Sequence, residues 1–207
     1  MSRPLLVTDC DEVLLHMVRH FRDWLDEAHD IDFALDGGSF VGALSRRADG
    51  DVLASGDVWP LLDGFFQAEM ARQTLVPGAR EALTALAEQA DIAVLTNLGD
   101  HCHAGRVAQL DALGIRHRVL CNQGGKGRAV ARLIEEFAPS LAVFVDDLPV
   151  HHESVAKHVP RAWRLHMVME PLLAAKIPPA PHAHARIDDW DHARTWIADR
   201  FAAGRPA

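Results

Sequence analysis

The sequence predicts an α/β protein, a doubly wound parallel sheet with a small, mainly helical insertion after the first strand. Three observations lead there. Short apolar runs alternate with stretches of helical period along most of the 207 residues, as parallel βαβ units require. That alternation becomes regular only from Pro77-Gly78, so an irregular stretch interrupts the first crossover. Apolar residues make up 49% of the chain, enough to bury the core of one domain, or of one domain with a sizeable insertion.

Taken in order, 5–8 reads as a strand, and Leu14, Val18, Phe21, Leu25 and Ala28 recur at helical spacing. Residues 31–56 are irregular, and Gly-Gly at 37–38 with Asp-Gly at 49–50 leaves a hairpin open. "DVWPLLDGFFQAEM" (57–70) is helical, with Pro60 placed in a first turn. Then come helix 78–89, strand 91–97, helix 100–113, strand 118–122, helix 126–138 and strand 141–147. A short helix leads to "WRLHMVM" (163–169), the proline-rich 178–185 is a loop, and 188–201 is a closing helix with an Asp N-cap. The expected division is a core of 1–14 and 76–207 with 15–75 inserted.

The formal charge of −8 argues against a nucleic-acid binder, and no apolar run approaches the ~20 residues of a membrane span. The first apolar run breaks at Asp9, too short for a secretory signal. Cys10, Cys102 and Cys121 form no C-x-x-C pair, so a reduced, cytoplasmic protein is expected. Lysine is scarce, at positions 126, 157 and 176 against eighteen arginines, which makes each lysine's compact charge worth explaining.

The chemistry concentrates at strand ends, where ligands bind in such sheets. In "VTDCDEVLL" (7–15) Asp9 and Asp11 would share a face of an extended strand, two like charges that must be desolvated together. Thr96-Asn97 ends the second strand, Asp146-Asp147 ends the fourth, and Lys126 stands in "GGKG" where the third turns into a helix. A hard divalent cation, Mg²⁺, would neutralise Asp9 with Asp146 and Asp147, while Thr96 and Lys126 held an anion against it. Acid, metal, hydroxyl and lysine together make a phosphoryl-transfer site. Each group alone has a plainer reading: a turn for Asp9 and Asp11, an N-cap for Thr96-Asn97, a solvated helix start for Lys126, a helix cap for Asp146-Asp147.

The ordered set D-x-D-x-V, apolar-T-N, isolated Lys and apolar-D-D resembles the haloacid dehalogenase (HAD) superfamily in its phosphatase branch. "LVPGAREALTALAEQADIAVLTN" (75–97) is similar to the approach to that family's second motif, and the gap resembles its small C1-type cap. The resemblance covers roughly 4–13 and 76–170. It implies a Rossmann-like core and a Mg²⁺-dependent phosphatase acting on a small phosphorylated metabolite. Asp9 would be the nucleophile, giving an aspartyl-phosphate, and Asp11 the general acid and base. Thr96, with the backbone of Asn97, would bind the phosphoryl group, and Lys126 would neutralise charge there. Asp146 and Asp147 would hold Mg²⁺ with Asp9 and the Asp11 carbonyl. Glu12 stands where relatives often carry glycine.

Two other classes fit parts of the pattern. A 2-haloacid dehalogenase also uses an aspartate nucleophile but lacks the second aspartate, so Asp11 weighs against it. A phosphoacceptor domain uses the same residue types, but there the acidic pair ends the first strand; a non-catalytic relative would have lost motif side chains, and all are intact. Among the thirteen histidines, Glu12, His16 and His20 fall at i, i+4, i+8 on one helix face, but no full zinc spacing occurs. His16, His20, His101 and His103 follow motif strands and are candidates to line the cleft, against ordinary surface histidine. Trp24, Trp59, Phe65 and Phe66 would pack the cap or wall the substrate. Cys10 should face the core.

Overall fold

The computed structural model describes residues 2–34 and 39–207, so Gly37-Gly38 lies outside the described residues. Along the chain come β1 (Leu5–Thr8), β2 (Leu15–His16), α1 (Val18–His29), β3 (Ile31–Phe33), β4 (Leu44–Arg46) and α2 (Ser55–Glu69). These are followed by β5 (Thr74–Leu75), α3 (Ala79–Ala87), β6 (Asp91–Thr96), α4 (His103–Ala112), β7 (Arg118–Cys121) and α5 (Gly127–Phe137). The chain closes with β8 (Ala142–Asp146), α6 (Pro149–His158), β9 (Trp163–His166), α7 (Pro171–Ala174), β10 (Ala185–Arg186) and α8 (Trp190–Ala203).

Six strands form one parallel sheet in the order β10-β9-β8-β1-β6-β7. β1 is central because both its faces are covered, as a continuous apolar run in a parallel sheet requires. Leu5 and Val7 pack with Phe144, Val130 and Leu133 on the α5–α6 side, while Leu6 packs with Leu83, Leu86 and Trp190 on the α3–α8 side. The chain leaves β1 toward β6 on one side and returns through β8 on the other. A crevice therefore opens at the carboxyl ends of β1, β6 and β8.

The stretch between β2 and β5, which pair antiparallel, packs α1, the β3–β4 hairpin and α2 around Phe21. The Phe21 ring lies 5.5 Å from Phe65, 5.8 Å from Phe33 and 5.9 Å from Phe40. Phe65 and Trp24 serve this cluster. Leu98 and Val168, from loops beyond the sheet, and Leu173 of α7 join it and tie the insertion to the crevice.

Several expectations are corrected. Pro60 is the sixth residue of α2, not in its first turn, so the helix forgoes one backbone hydrogen bond. Leu14 precedes α1, in a turn where its N–H donates to the Cys10 carbonyl at 2.7 Å. Glu12, His16 and His20 share no helix face, since Glu12 is in that turn, His16 on β2 and only His20 on α1. The expected loop holds over 178–184, and only its last residue, Ala185, opens β10. Among the described residues, no helix is long and apolar enough to cross a membrane.

Candidate active site

β1 ends at Thr8, and Asp9 continues only far enough for its N–H to donate to the Val145 carbonyl at 2.8 Å. The next residues turn back, so strand alternation is not what aims Asp9 and Asp11; both line the crevice because the chain folds sharply there. Glu12 sits at φ 58°, the left-handed region that favours glycine. Its side chain offsets that strain: Oε1 accepts from the N–H groups of Met17 (2.8 Å) and Val18 (2.6 Å), capping α1. Oε2 is buried without a partner, close to His16 and Glu170. Burial raises the Glu12 carboxyl to about 7. Cys10 is buried in the core, as expected.

Lys126 is fully buried, which excludes the solvated reading. Its Nζ lies 2.7 Å from Asp9 Oδ1 and donates to Asp146 Oδ2 at 2.7 Å. Burial would lower its pKa, but Asp146 and Asp9 reverse that and raise it, so the ammonium persists. The flanking glycine has a packing reason: a Cβ on Gly127 would lie 2.2 Å from the Ser154 carbonyl oxygen. Only glycine lets α5 approach α6 closely enough to bring Lys126 under the strand ends.

Asp9, Asp146 and Asp147 bring carboxylate oxygens within 4.8 Å of one another, and Asp11's carboxylate is not among them. Burial, then repulsion from Asp146, raises the Asp9 carboxyl to about 7 against the pull of Lys126. Burial and the Asp146 and Asp9 charges push Asp147 well above the usual carboxylate range. Asp146 behaves oppositely: burial would raise it, but Lys126 leaves it lowered. Both Asp146 oxygens are engaged, Oδ1 by the Leu148 N–H at 2.9 Å. Asp9 Oδ1 accepts from the Cys10 N–H at 2.7 Å, whereas among the described residues no hydrogen bond reaches Asp9 Oδ2 or the Asp147 carboxylate.

Asp11 is held by a residue that the motif reading missed. Arg106, fully buried on α4, donates Nη2 to both Asp11 oxygens at 2.9 and 3.0 Å, and Nη1 to Gln73 at 3.1 Å and Gln109 at 2.9 Å. Gln73 Nε2 donates to Asp11 Oδ1 at 2.7 Å, and Thr96 Oγ1 donates to Oδ2 at 3.3 Å. One signal could have found Arg106. It lies on the apolar stripe Cys102–Arg106–Leu110, where an unexplained arginine must have an acidic partner.

The crevice, about 740 Å³, is lined by Asp9, Asp11, Glu12, Asn97, Asp147 and His151 on its acidic and polar side. Trp59 and Phe66 also line it, whereas His16, His20, His101 and His103 do not. His16 is buried in β2, His20 meets Thr74 Oγ1, His101 pairs with Asp63, and His103 meets the Val119 carbonyl. His151, in the first turn of α6, is the histidine that lines the crevice among the described residues; its Nε2 lies 3.3 Å from Asn97 Nδ2.

A parallel sheet with acids and a buried lysine at its carboxyl edge, roofed by an inserted helical segment, defines a Rossmann-like α/β protein with a strand-end site. Its fold is that of the HAD-like hydrolases. A HAD family hydrolase of Deinococcus radiodurans with bound phosphate and sodium superposes with a TM-score of 0.67 at 15% identity, over 98% of each chain. A haloacid dehalogenase-like hydrolase of Xanthomonas campestris gives 0.61 at 14% identity, again over 98% of each chain. A predicted phosphoglycolate phosphatase of Haemophilus somnus gives 0.58 at 17%, covering 93% of this chain and 97% of that one. No protein-family model matches the chain, and no curated protein does.

Proposed function

We propose that the protein is a Mg²⁺-dependent phosphatase that cleaves a small phosphomonoester through an aspartyl-phosphate on Asp9, with residues 15–75 as its cap. The observation that carries this reading is Lys126, fully buried between Asp9 and Asp146 at 2.7 Å from each. A chain keeps so costly a charge cluster when a reaction uses it. Asp9 Oδ1 is tied to Lys126 and the Cys10 N–H, which leaves Oδ2 to attack phosphorus. The P–O bond to the alcohol breaks, and Asp11 gives its proton to the leaving oxygen. Asp11 then takes a proton from the water that attacks the aspartyl-phosphate, and Asp9 is regenerated. Asp11 already lines the crevice, and both proton steps need one of its oxygens released from Arg106 and Gln73. Thr96 and the Asn97 backbone sit at the β6 terminus, where the phosphoryl oxygens would lie.

A hard divalent cation fits the residues present. Among the described residues no hydrogen bond engages the Asp147 carboxylate, which stands beside the open oxygen of Asp9. It is raised first by burial and then by repulsion from Asp146 and Asp9 that a cation would relieve. Asp9 and Asp147 would hold it directly, with Asp146 oriented by Lys126 behind them. When bound, Mg²⁺ supplies charge neutralisation to the transferring phosphoryl group. The test is phosphate release from p-nitrophenyl phosphate and a metabolite panel, with and without Mg²⁺. Asp9→Asn is expected to abolish it; release surviving in that variant rejects Asp9 as the nucleophile.

A further inference from the structure

Away from Asp9 the cleft changes character. Its walls are Met17, Trp59 and Phe66 from the insertion and Leu98, Val150 and Leu173 from the core. Among the described residues lining it there is no lysine or arginine. A second anionic group on a substrate would face the acid side chains of Asp9, Asp11, Glu12 and Asp147, and no lysine or arginine of the described lining would pair with it.

Two of the lining amides, Asn97 and Asn122, are already engaged within the protein; the third, Gln123, is exposed. Asn122 Nδ2 donates to Asn97 Oδ1 at 2.8 Å, and Asn97 Nδ2 donates to the Gly124 carbonyl at 3.0 Å. A polyhydroxylated ligand would have to break these bonds before it could use either asparagine as a donor.

The rim supplies a second, independent observation. Among the described residues the exposed large apolar side chains are Val41, Val52, Trp59, Val107 and Val150, and three of them ring this cleft. Val41 is 46% exposed, Trp59 54% and Val150 57%, from both sides of the opening. Apolar surface facing water across an apolar cavity marks a place where an apolar group is received.

Resting on the phosphatase reading above, we propose that this cleft selects phosphomonoesters of uncharged, largely apolar alcohols over esters that carry a second acid or a sugar. The phosphate would sit on the acidic floor with its cation and Lys126, and the organic group against the Trp59 and Val150 walls.

The test is phosphate release with Mg²⁺ from ethyl, butyl and hexyl phosphate, whose leaving groups differ little in acidity, beside glucose 6-phosphate and phosphoglycolate. kcat/KM is expected to rise about three- to fourfold per methylene until the cleft is filled. Hexyl phosphate should exceed the sugar and acidic esters by about a hundredfold or more. Trp59→Ala, at a position 54% exposed, should flatten the series. A flat or falling series in the wild type, a preference for phosphoglycolate or glucose 6-phosphate, or a slope unchanged in Trp59→Ala overturns the assignment while phosphate release still upholds the phosphatase. If none of the esters releases phosphate, the phosphatase reading fails and the assignment falls with it.

Discussion

Replacing Arg106 with methionine isolates the contact that holds Asp11. Methionine keeps most of the buried stem and removes the guanidinium, so little cavity opens and the change is chiefly electrostatic. Breaking a buried ion pair costs about 3–5 kcal/mol, because the surviving partner is left uncompensated. Here two features lower that figure. The Asp11 side chain is 16% exposed, so water reaches it, and Gln73 and Thr96 still donate to it. The variant also discards Arg106 Nε, which is buried without a partner and costs the native state about 1–3 kcal/mol. The net loss is expected near 2–3 kcal/mol, a fall in Tm of about 4–12 °C for a chain of this size. Calorimetry on the wild type, Arg106→Met, Asp11→Asn and the double variant measures it as a cycle. The cost of Arg106→Met should shrink by at least about 1 kcal/mol when Asp11 is already Asn. An unchanged Tm, or an equal cost in both backgrounds, would refute the pairing as the reason Arg106 is buried.

Lys126→Met leaves Asp9, Asp146 and Asp147 facing one another, so a loss of about 3–5 kcal/mol is expected in EDTA. Millimolar Mg²⁺ should recover part of it, and a thermal-shift titration giving no larger Mg²⁺ response than the wild type would contradict this. Gly127→Ala puts a Cβ 2.2 Å from the Ser154 carbonyl oxygen, so α5 must lift off α6 at a cost of about 1–3 kcal/mol. Because Lys126 moves with it, phosphate release should fall at least tenfold; full activity would show that the close approach is dispensable. His152 is buried, its Nε2–H donating to the Asp146 carbonyl at 2.9 Å, and burial lowers its pKa to about 4. Above pH 6.5 the ring is neutral folded or unfolded, and its contribution is fully present. As pH falls from 6.5 to about 4 only the unfolded chain takes the proton, so stability drops by about 3 kcal/mol over that window. Urea unfolding between pH 7 and 4.5 should show a shallower fall for His152→Gln, by about 1.4 kcal/mol per pH unit at mid-window; parallel curves would exclude His152 as a source.

The periodic parts of the chain were legible, and their reasons are local. β1, β6 and β8 are apolar runs ending in Thr or Asp, and α3, α5 and α8 carry apolar stripes that the core uses. The Asp N-cap expected for the closing helix is Asp189, whose side chain accepts from the His192 N–H. The insertion was hardest to read, because its hairpin strands are three residues each and its fold rests on rings clustered around Phe21. The histidine candidates failed for a related reason: nearness in sequence to a motif strand says nothing about which way a loop turns.

The amino-acid order by itself determined the alternating architecture and the short list of acids, hydroxyl and lysine that stand at strand ends, since periodicity and residue type are properties of the chain alone. Tertiary structure decided what those groups do to each other. It placed Lys126 beneath Asp9 and Asp146, bound Asp11 to an arginine 95 residues away, and lined the crevice with Trp59 and Val150 from separate segments. Such couplings depend on distances of a few ångströms between residues remote in sequence, and folding sets those distances.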